Sequence, residues 1–349
     1  MKRLWIAGCL MIMMYSCITY RTLTNGQPHV GETIFPSLAL LPTDTAYYLP
    51  ASKQHAVEHF IRPPELSRFL RRQECLAFLV IHQDTIVEEY YLYPELKQEA
   101  TEIFSLTKSF ISTAVGIAYE EGFIESLSDP LGKYLPDLPP SYHPIRIVDL
   151  LDMRTGIKTT FLNTARLYYS NNLDRTCQCM IIEESPGQSY RYSNQATQLL
   201  VKVVEQCTKQ NFIDYFIEKI WLPLRMENTG FWSLDSEKHH TPRGFAGLCL
   251  TARDIAKLGL LYLHDGFLYQ QQILPASWVQ TVLSPAEEHR ISPETYYHLH
   301  WKILTPGEEF MAKGMFGQYL YVNKKTNTVI VRLGFKNTST NWLRFFRTF

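Results

Sequence analysis

Ser105-Leu106-Thr107-Lys108 places a hydroxyl and an amine three residues apart. On a helix that spacing sets both side chains on one face, within hydrogen-bonding reach of each other. From Phe110 onward the apolar residues Phe110, Ile111, Ala114, Val115, Ile117 and Ala118 recur with helical spacing, and Gly122 supplies a C-terminal stop. A serine in the first turn of such a helix faces its oxygen, and any oxyanion formed there, toward the positive end of the helix. A lysine buried beside it loses its charge through desolvation and becomes available as a base. These residues read as an activated serine nucleophile. The S-x-x-K pattern is short, and a chain of this length carries roughly one by chance. It occurs once here, and a lysine on the apolar face of a buried helix is costly without a partner. That cost favours a chemical role for Lys108 over a structural one.

Two further segments carry chemistry. Pro186-Gly187 makes a turn before Ser189-Tyr190-Arg191-Tyr192-Ser193-Asn194, and a helix follows from Gln195. Tyr192 and Asn194, two residues apart, share one side of that short loop. A phenol beside an ammonium ionises more readily, so Tyr192 could exchange protons with the nucleophile and the leaving group. Asn194 offers a donor and an acceptor to a substrate amide or to Lys108. Tyr169-Ser170-Asn171 repeats the tripeptide without the Pro-Gly turn or the helix, which assigns Tyr169 to the pocket wall. Near the C-terminus, Ala312-Lys313-Gly314-Met315-Phe316-Gly317-Gln318 opens a strand. Glycine at a strand start lets a ligand approach the backbone, which places Gly314 and Gln318 in the substrate site. A free N–H there, paired with that of Ser105, forms a two-donor oxyanion hole; taken alone, the segment also reads as an unliganded bulge.

The elements that must hold these groups are legible as well. Leu76–Ile81 and Ile86–Tyr91 flank His82-Gln83-Asp84-Thr85 as an antiparallel hairpin. Tyr319–Val322 and Val329–Leu333 alternate as strands around a turn at Asn323–Asn327, and Trp342–Phe349 forms a closing helix. Gln195–Cys207 and Thr251–Leu263 read as amphipathic helices, the second capped by Thr251 with Asp254 three residues later. From about 125 to 245 loops and helices dominate, punctuated by Pro130, Pro136, Pro139, Pro140 and Pro144. The expected fold is α/β (α+β): an antiparallel sheet flanked by helices, built from both chain ends, with an inserted, mostly helical lobe. A cleft between the two is the expected place for the site.

Bulk properties agree with a globular enzyme. The 349 residues are 46% hydrophobic and 19% charged, and 34 Lys+Arg balance 34 Asp+Glu. No basic run interleaved with aromatics marks a nucleic-acid surface. Lys2 and Arg3 precede an apolar run from Leu4 to Tyr15, the layout of a secretory leader and too short to span a bilayer. Met14-Tyr15-Ser16-Cys17 resembles a lipobox, so residues 1–17 read as a signal peptide, with lipidation at Cys17, export, and attachment to a bacterial membrane facing the periplasm or exterior. Residues 18–60, rich in Pro, Thr and Gly, read as an N-terminal arm, and 61–349 as the hydrolase domain. Cys75, Cys177, Cys179, Cys207 and Cys249 show no metal-ligand spacing, and at most one disulfide is expected among them. Neither a metal nor another cofactor is expected.

The three segments, in this order, resemble the serine hydrolases related to class C β-lactamases and penicillin-binding proteins, most closely their esterase and 6-aminohexanoate-dimer hydrolase branch. Ser105 and Lys108 match the S-x-x-K motif and Tyr192 and Asn194 the Y-x-N motif. Val148–Gly156, Leu222–Phe231 and Gly247–Asp254 are similar to the family's LLxMxSG, PLGMxxTxF and GGLxxTAxDxA segments. Lys313-Gly314-Met315 stands where true β-lactamases carry K-T-G, closer to the G-x-x-G-Q form of the hydrolase branch, and by that resemblance Met315 donates the second oxyanion N–H. The resemblance implies a β-lactamase/transpeptidase-like fold and a monomer that cleaves a small ester, amide or short peptide through an acyl-enzyme on Ser105. Lys108 and Tyr192 are its acid and base. A peptidase for D-amino-acid peptides, or a non-catalytic envelope binding protein on the same fold, are the alternative readings.

Overall fold

A computed structural model describes residues 35–52 and 63–349. The leader 1–17 with Cys17, and residues 18–34 and 53–60 of the expected arm, lie outside the described residues. Strand β1 (Ser37–Leu40) is followed by the hairpin β2 (Cys75–His82) and β3 (Thr85–Tyr91). Its two turn residues, Gln83 and Asp84, are both left-handed at φ 48° and 60°, the twist that suits a two-residue hairpin. β2 is buried on both faces and sorts its side chains by alternation. Ala77, Leu79 and Ile81 join the main core, while Phe78 and Val80 join a second layer with Leu66, Leu70, Trp342 and Phe346.

β4 (Thr101–Glu102) ends three residues before Ser105. It closes a small sheet of order β1-β5-β6-β4, whose other members are β5 (Gly230–Ser233) and β6 (Leu248–Leu250). β5 falls inside the stretch expected to be helical. It is four residues long, anchored by pairing with β1 and β6, and has too few residues for alternation to show. β7 (Phe267–Leu268) and β8 (Gln271–Gln272) make a minor hairpin. The large sheet is completed by β9 (Arg290–Ser292), β10 (Thr295–His298), β11 (Trp301–Thr305), β12 (Glu309–Gly314), β13 (Gln318–Asn323) and β14 (Thr328–Gly334). Its order, β3-β2-β14-β13-β12-β11-β10-β9, is antiparallel throughout and joins residues 75–91 to 290–334. The sheet is therefore assembled from the two ends of the domain.

Helix Ala252–Leu263 lies across one face of this sheet, capped by Thr251, whose hydroxyl accepts from the Asp254 N–H. Gly259 makes that approach possible: a Cβ there would sit 2.6 Å from Val329 Cγ1. Helices Pro63–Arg72 and Trp342–Phe346 cover the other face. The nucleophile helix runs Thr107–Glu120 and is buried from Thr107 to Ala118; Gly122 follows it in the left-handed conformation, φ 79°. Beside it, Ile147–Leu151, Phe161–Tyr168, Leu173–Gln178 and Asn194–Thr208 form a helical lobe. The five cysteines of the described residues are all free thiols, so the single disulfide held open above does not form among them.

Candidate active site

Ser105 occupies a one-turn 3-10 helix, Phe104–Leu106, that leads into Thr107–Glu120. The nucleophile therefore sits just ahead of the α-helix rather than within its first turn. It is half-buried at the cleft floor, whereas Lys108 below it is fully enclosed. Lys108 Nζ donates to the Phe245 carbonyl at 2.6 Å and lies 3.1 Å from Ser105 Oγ. Burial drives the Lys108 pKa well below the usual lysine value. Among the described residues no carboxylate pairs with Lys108, so desolvation stands unopposed and favours the neutral amine, the form that can act as a base toward Ser105.

Tyr192 completes the group. Its ring lies 4.9 Å from Lys108 Nζ, and Ser105 is the side chain whose polar interaction lowers the pKa of its hydroxyl. The side chain is 39% exposed along the ring while the hydroxyl end is directed inward. Burial of that hydroxyl pushes the phenol up, against the smaller opposing effect of Ser105. Burial thus favours the phenol form of Tyr192 and the neutral form of Lys108. The Tyr192 shift is upward and led by desolvation, opposite in sense to the easier ionisation expected from a lysine charge.

Asn194 is the first residue of helix Asn194–Thr208, whose N-cap Ser193 accepts from the Ala196 N–H. Its Oδ1 is buried and unpartnered, a costly state that a substrate N–H would relieve. Met315 lies in the turn between β12 and β13, its side chain 54% exposed. Two contacts hold that turn against the residues before Ser105. A Cβ on Gly314 would sit 2.2 Å from the Ile103 carbonyl oxygen, and Phe316 packs edge-on against Phe104 with ring centroids 5.3 Å apart. Gly314 is thereby required for the close approach of two backbones. Phe104 and Phe316 are both left-handed, φ 50° and 58°, a strained state that concentrates at functional sites. Among the described residues, neither the Ser105 nor the Met315 N–H bonds another backbone carbonyl.

Tyr169 stands in an aromatic wall. Its ring meets Tyr168 at 5.1 Å and Phe35 at 6.1 Å, and Tyr168 in turn packs 6.3 Å from Phe245. Arg243 braces this wall from behind, 3.7 Å over the Phe35 ring and donating to the Tyr168 and Ser170 carbonyls at 2.6 and 2.8 Å. Gln318 is a correction. Its side chain is buried, its Nε2 donates to the Gly334 carbonyl and its Oε1 accepts from the Gly334 N–H, both at 2.9 Å. Both ends of the amide clamp β13 to β14 and the side chain is fully buried, which assigns Gln318 to the sheet rather than to substrate contact. Lys313 is exposed and rests 5.3 Å over Tyr319, on the sheet face that carries Phe346.

Several participants leave no mark in the sequence. The Phe245 carbonyl is a backbone group, and the strained Phe104 and Phe316 occupy a conformation that phenylalanine does not advertise. Tyr297 is buried against Tyr192, 6.2 Å away at 85°, from a strand remote in sequence.

The chain matches the Beta-lactamase family over residues 67–341. It belongs to that family. A curated relative, the 6-aminohexanoate-dimer hydrolase of Paenarthrobacter ureafaciens, is 23% identical over 78% of this chain and 75% of its own length. A Bacillus anthracis structure described as a 6-aminohexanoate-dimer hydrolase superposes with a TM-score of 0.77 at 24% identity, covering 90% of this chain and 89% of its own. A class C β-lactamase gives 0.62 at 16% identity over 80% and 91%. The fold is that of β-lactamases and their transpeptidase-like neighbours, and the protein is a serine hydrolase.

Proposed function

We propose that this hydrolase opens an ester or a linear amide through an acyl-enzyme on Ser105. The observation that carries the reading is the buried Lys108 amine 3.1 Å from Ser105 Oγ, where desolvation favours the neutral form. Lys108 takes the hydroxyl proton as Oγ attacks the carbonyl carbon, and the N–H groups of Ser105 and Met315 hold the resulting oxyanion. Tyr192, a protonated phenol, gives its proton to the departing alkoxide or amine and regains one from the Lys108 ammonium. Water then attacks the acyl-enzyme, Lys108 accepts its proton, and Ser105 leaves as a hydroxyl. Each group returns to its starting protonation state.

The orphaned Asn194 Oδ1 favours substrates that present an N–H beside the reacting carbonyl. An amide dimer of the kind named for the Paenarthrobacter relative meets that description. With Lys313 on Tyr319, the strand supplies no cation for a terminal carboxylate, which weighs against a carboxypeptidase for D-amino-acid peptides. Export, with Cys17 lipidated, and a monomeric state belong to the same proposal.

The test is turnover of p-nitrophenyl acetate and of the 6-aminohexanoate linear dimer by the wild type and Ser105→Ala. Hydrolysis of either substrate, lost in the variant, is the expected result. Activity that survives Ser105→Ala would overturn the reading.

A further inference from the structure

The turn between β10 and β11 belongs to no catalytic motif, yet it joins the Ser105–Lys108 helix to the Tyr192–Asn194 segment. Its two residues, Leu299 and His300, are left-handed at φ 44° and 65°, and both are buried. The Leu299 carbonyl accepts from Ser112 Oγ at 2.7 Å and the His300 carbonyl from Ser109 Oγ at 3.0 Å, both on the Ser105–Lys108 helix. His300 Nε2 lies 3.1 Å from Thr197 Oγ1, on the helix that begins with Asn194. Tyr297, just ahead of the turn, packs edge-on against Tyr192 and 5.2 Å from Tyr190.

What fixes the turn is a buried carboxylate. Asp152 Oδ1 accepts from the Leu299 N–H at 2.8 Å and from His298 Nδ1 at 2.9 Å, while Oδ2 lies 3.2 Å from His289 Nε2. The two imidazoles stack with centroids 4.1 Å apart. The Ala286 N–H donates into His289 Nδ1 at 3.0 Å, so the neutral ring carries its proton on Nε2 and donates it to Asp152. A divalent cation held by the same three residues would need the lone pair that this proton occupies. The cluster is therefore a hydrogen-bonded clasp. Burial pushes the Asp152 pKa up, but the His289 and His298 bonds outweigh it and hold the carboxyl well below its usual range. The residue after Asp152 completes the connection. The Met153 carbonyl accepts from the Arg191 N–H at 2.8 Å, and its sulfur accepts from the Ser193 N–H at 3.3 Å, gripping the chain on both sides of Tyr192.

We propose that Asp152, His298 and His289, acting through the Tyr297–His300 turn, are positioning residues that set the Tyr192 hydroxyl against Ser105. The inference rests on the acyl-enzyme reading above, since it assigns Tyr192 a proton-transfer step to be positioned for. A displacement of about 1 Å in such a group costs on the order of 100-fold in rate. The clasp acts on the proton donor and not on substrate contacts, so its loss falls on kcat and leaves KM in place.

The experiment is a double-mutant cycle on hydrolysis of an alkyl ester, whose alkoxide leaving group needs the Tyr192 proton, with His298→Ala and Tyr192→Phe, alongside His298→Asn, whose side-chain N–H replaces the Nδ1 donor. His298→Ala should lower kcat roughly 30- to 100-fold with KM within about twofold. It should cost less than about threefold when Tyr192 is already phenylalanine, and His298→Asn should recover most of the activity. Thermal unfolding reports whether each variant folds; should His298→Ala not fold, Tyr297→Leu runs the same cycle with the clasp intact. Equal losses with and without the Tyr192 hydroxyl, a loss confined to KM, or no recovery by asparagine would overturn the proposal. So would a stoichiometric metal in the purified protein by elemental analysis. Failure of the acyl-enzyme reading shows separately, as Ser105→Ala activity equal to wild type.

Discussion

The floor and the roof of the cleft are built in different ways. Ser105 and Lys108 share one short stretch of backbone, and the core encloses the helix that follows from Thr107 to Ala118. Tyr192 reaches the same point from a loop whose position depends on Met153, Arg154 and Tyr297. The Arg154 guanidinium, for instance, donates to the Gly187 carbonyl at 2.8 Å. The floor's spacing is set locally, with the Phe245 carbonyl and burial acting on its amine. The roof's geometry is the sum of contacts between segments distant in sequence. Local rules thus bring nucleophile and base together, while the acid depends on tertiary placement. Substitutions in the floor should act on chemistry directly, and substitutions around the roof through position.

The largest expected effect breaks the floor. Lys108→Met removes the proposed base beside Ser105 and should lower kcat by about 10³-fold or more, read as ester turnover. It also carries a pH signature in stability. Burial lowers the folded-state pKa of the amine below the unfolded value of about 10.4. In the window between the two the unfolded state binds more protons, so folding stability rises with pH. Below about pH 10 the wild type should gain stability with rising pH more steeply than Lys108→Met, by at most about 1.4 kcal/mol per pH unit, measured by denaturant unfolding. Parallel slopes would mean that the lysine is charged in the folded protein.

Tyr192→Phe tests the roof. Loss of the phenol proton should reduce kcat about 10²- to 10³-fold, with a smaller loss for esters whose leaving group needs no protonation, such as p-nitrophenol. Comparing an alkyl ester with a p-nitrophenyl ester checks this; equal losses on both would remove Tyr192 from the leaving-group step.

The smallest expected effect separates both regions from the strand beneath them. Gln318→Ala leaves the Gly334 N–H and carbonyl without partners and should cost about 2 kcal/mol of stability, seen in denaturant midpoints. KM should stay unchanged, because the amide is buried against β14.

The same division explains what the sequence discloses. Ser105 and Lys108 are readable because a three-residue spacing on a helix has one geometric meaning. Tyr192 and Asn194 are readable because a Pro-Gly turn and a helix start bracket them. The strands of the two chain ends announce themselves by alternation, as Phe78 and Val80 show against Leu79 and Ile81. The Phe245 carbonyl that anchors Lys108 has no residue signature, since any residue supplies a carbonyl. Gln318 misleads for the opposite reason: a polar residue beside a glycine-rich turn resembles a ligand group until its amide is seen pairing with a neighbouring strand. Asp152 and His298 lie far apart in sequence, and only the folding of the sheet against the helical lobe brings them to 2.9 Å.

The central claim is that Lys108 activates Ser105, and covalent trapping addresses it most directly. The purified protein would be incubated with a fluorophosphonate, and the adduct located by peptide mass spectrometry for the wild type and Lys108→Met. The account expects a single adduct on Ser105 in the wild type, formed at least about 100-fold more slowly in the folded variant. An adduct on another residue, or equal labelling rates in the two proteins, would contradict it.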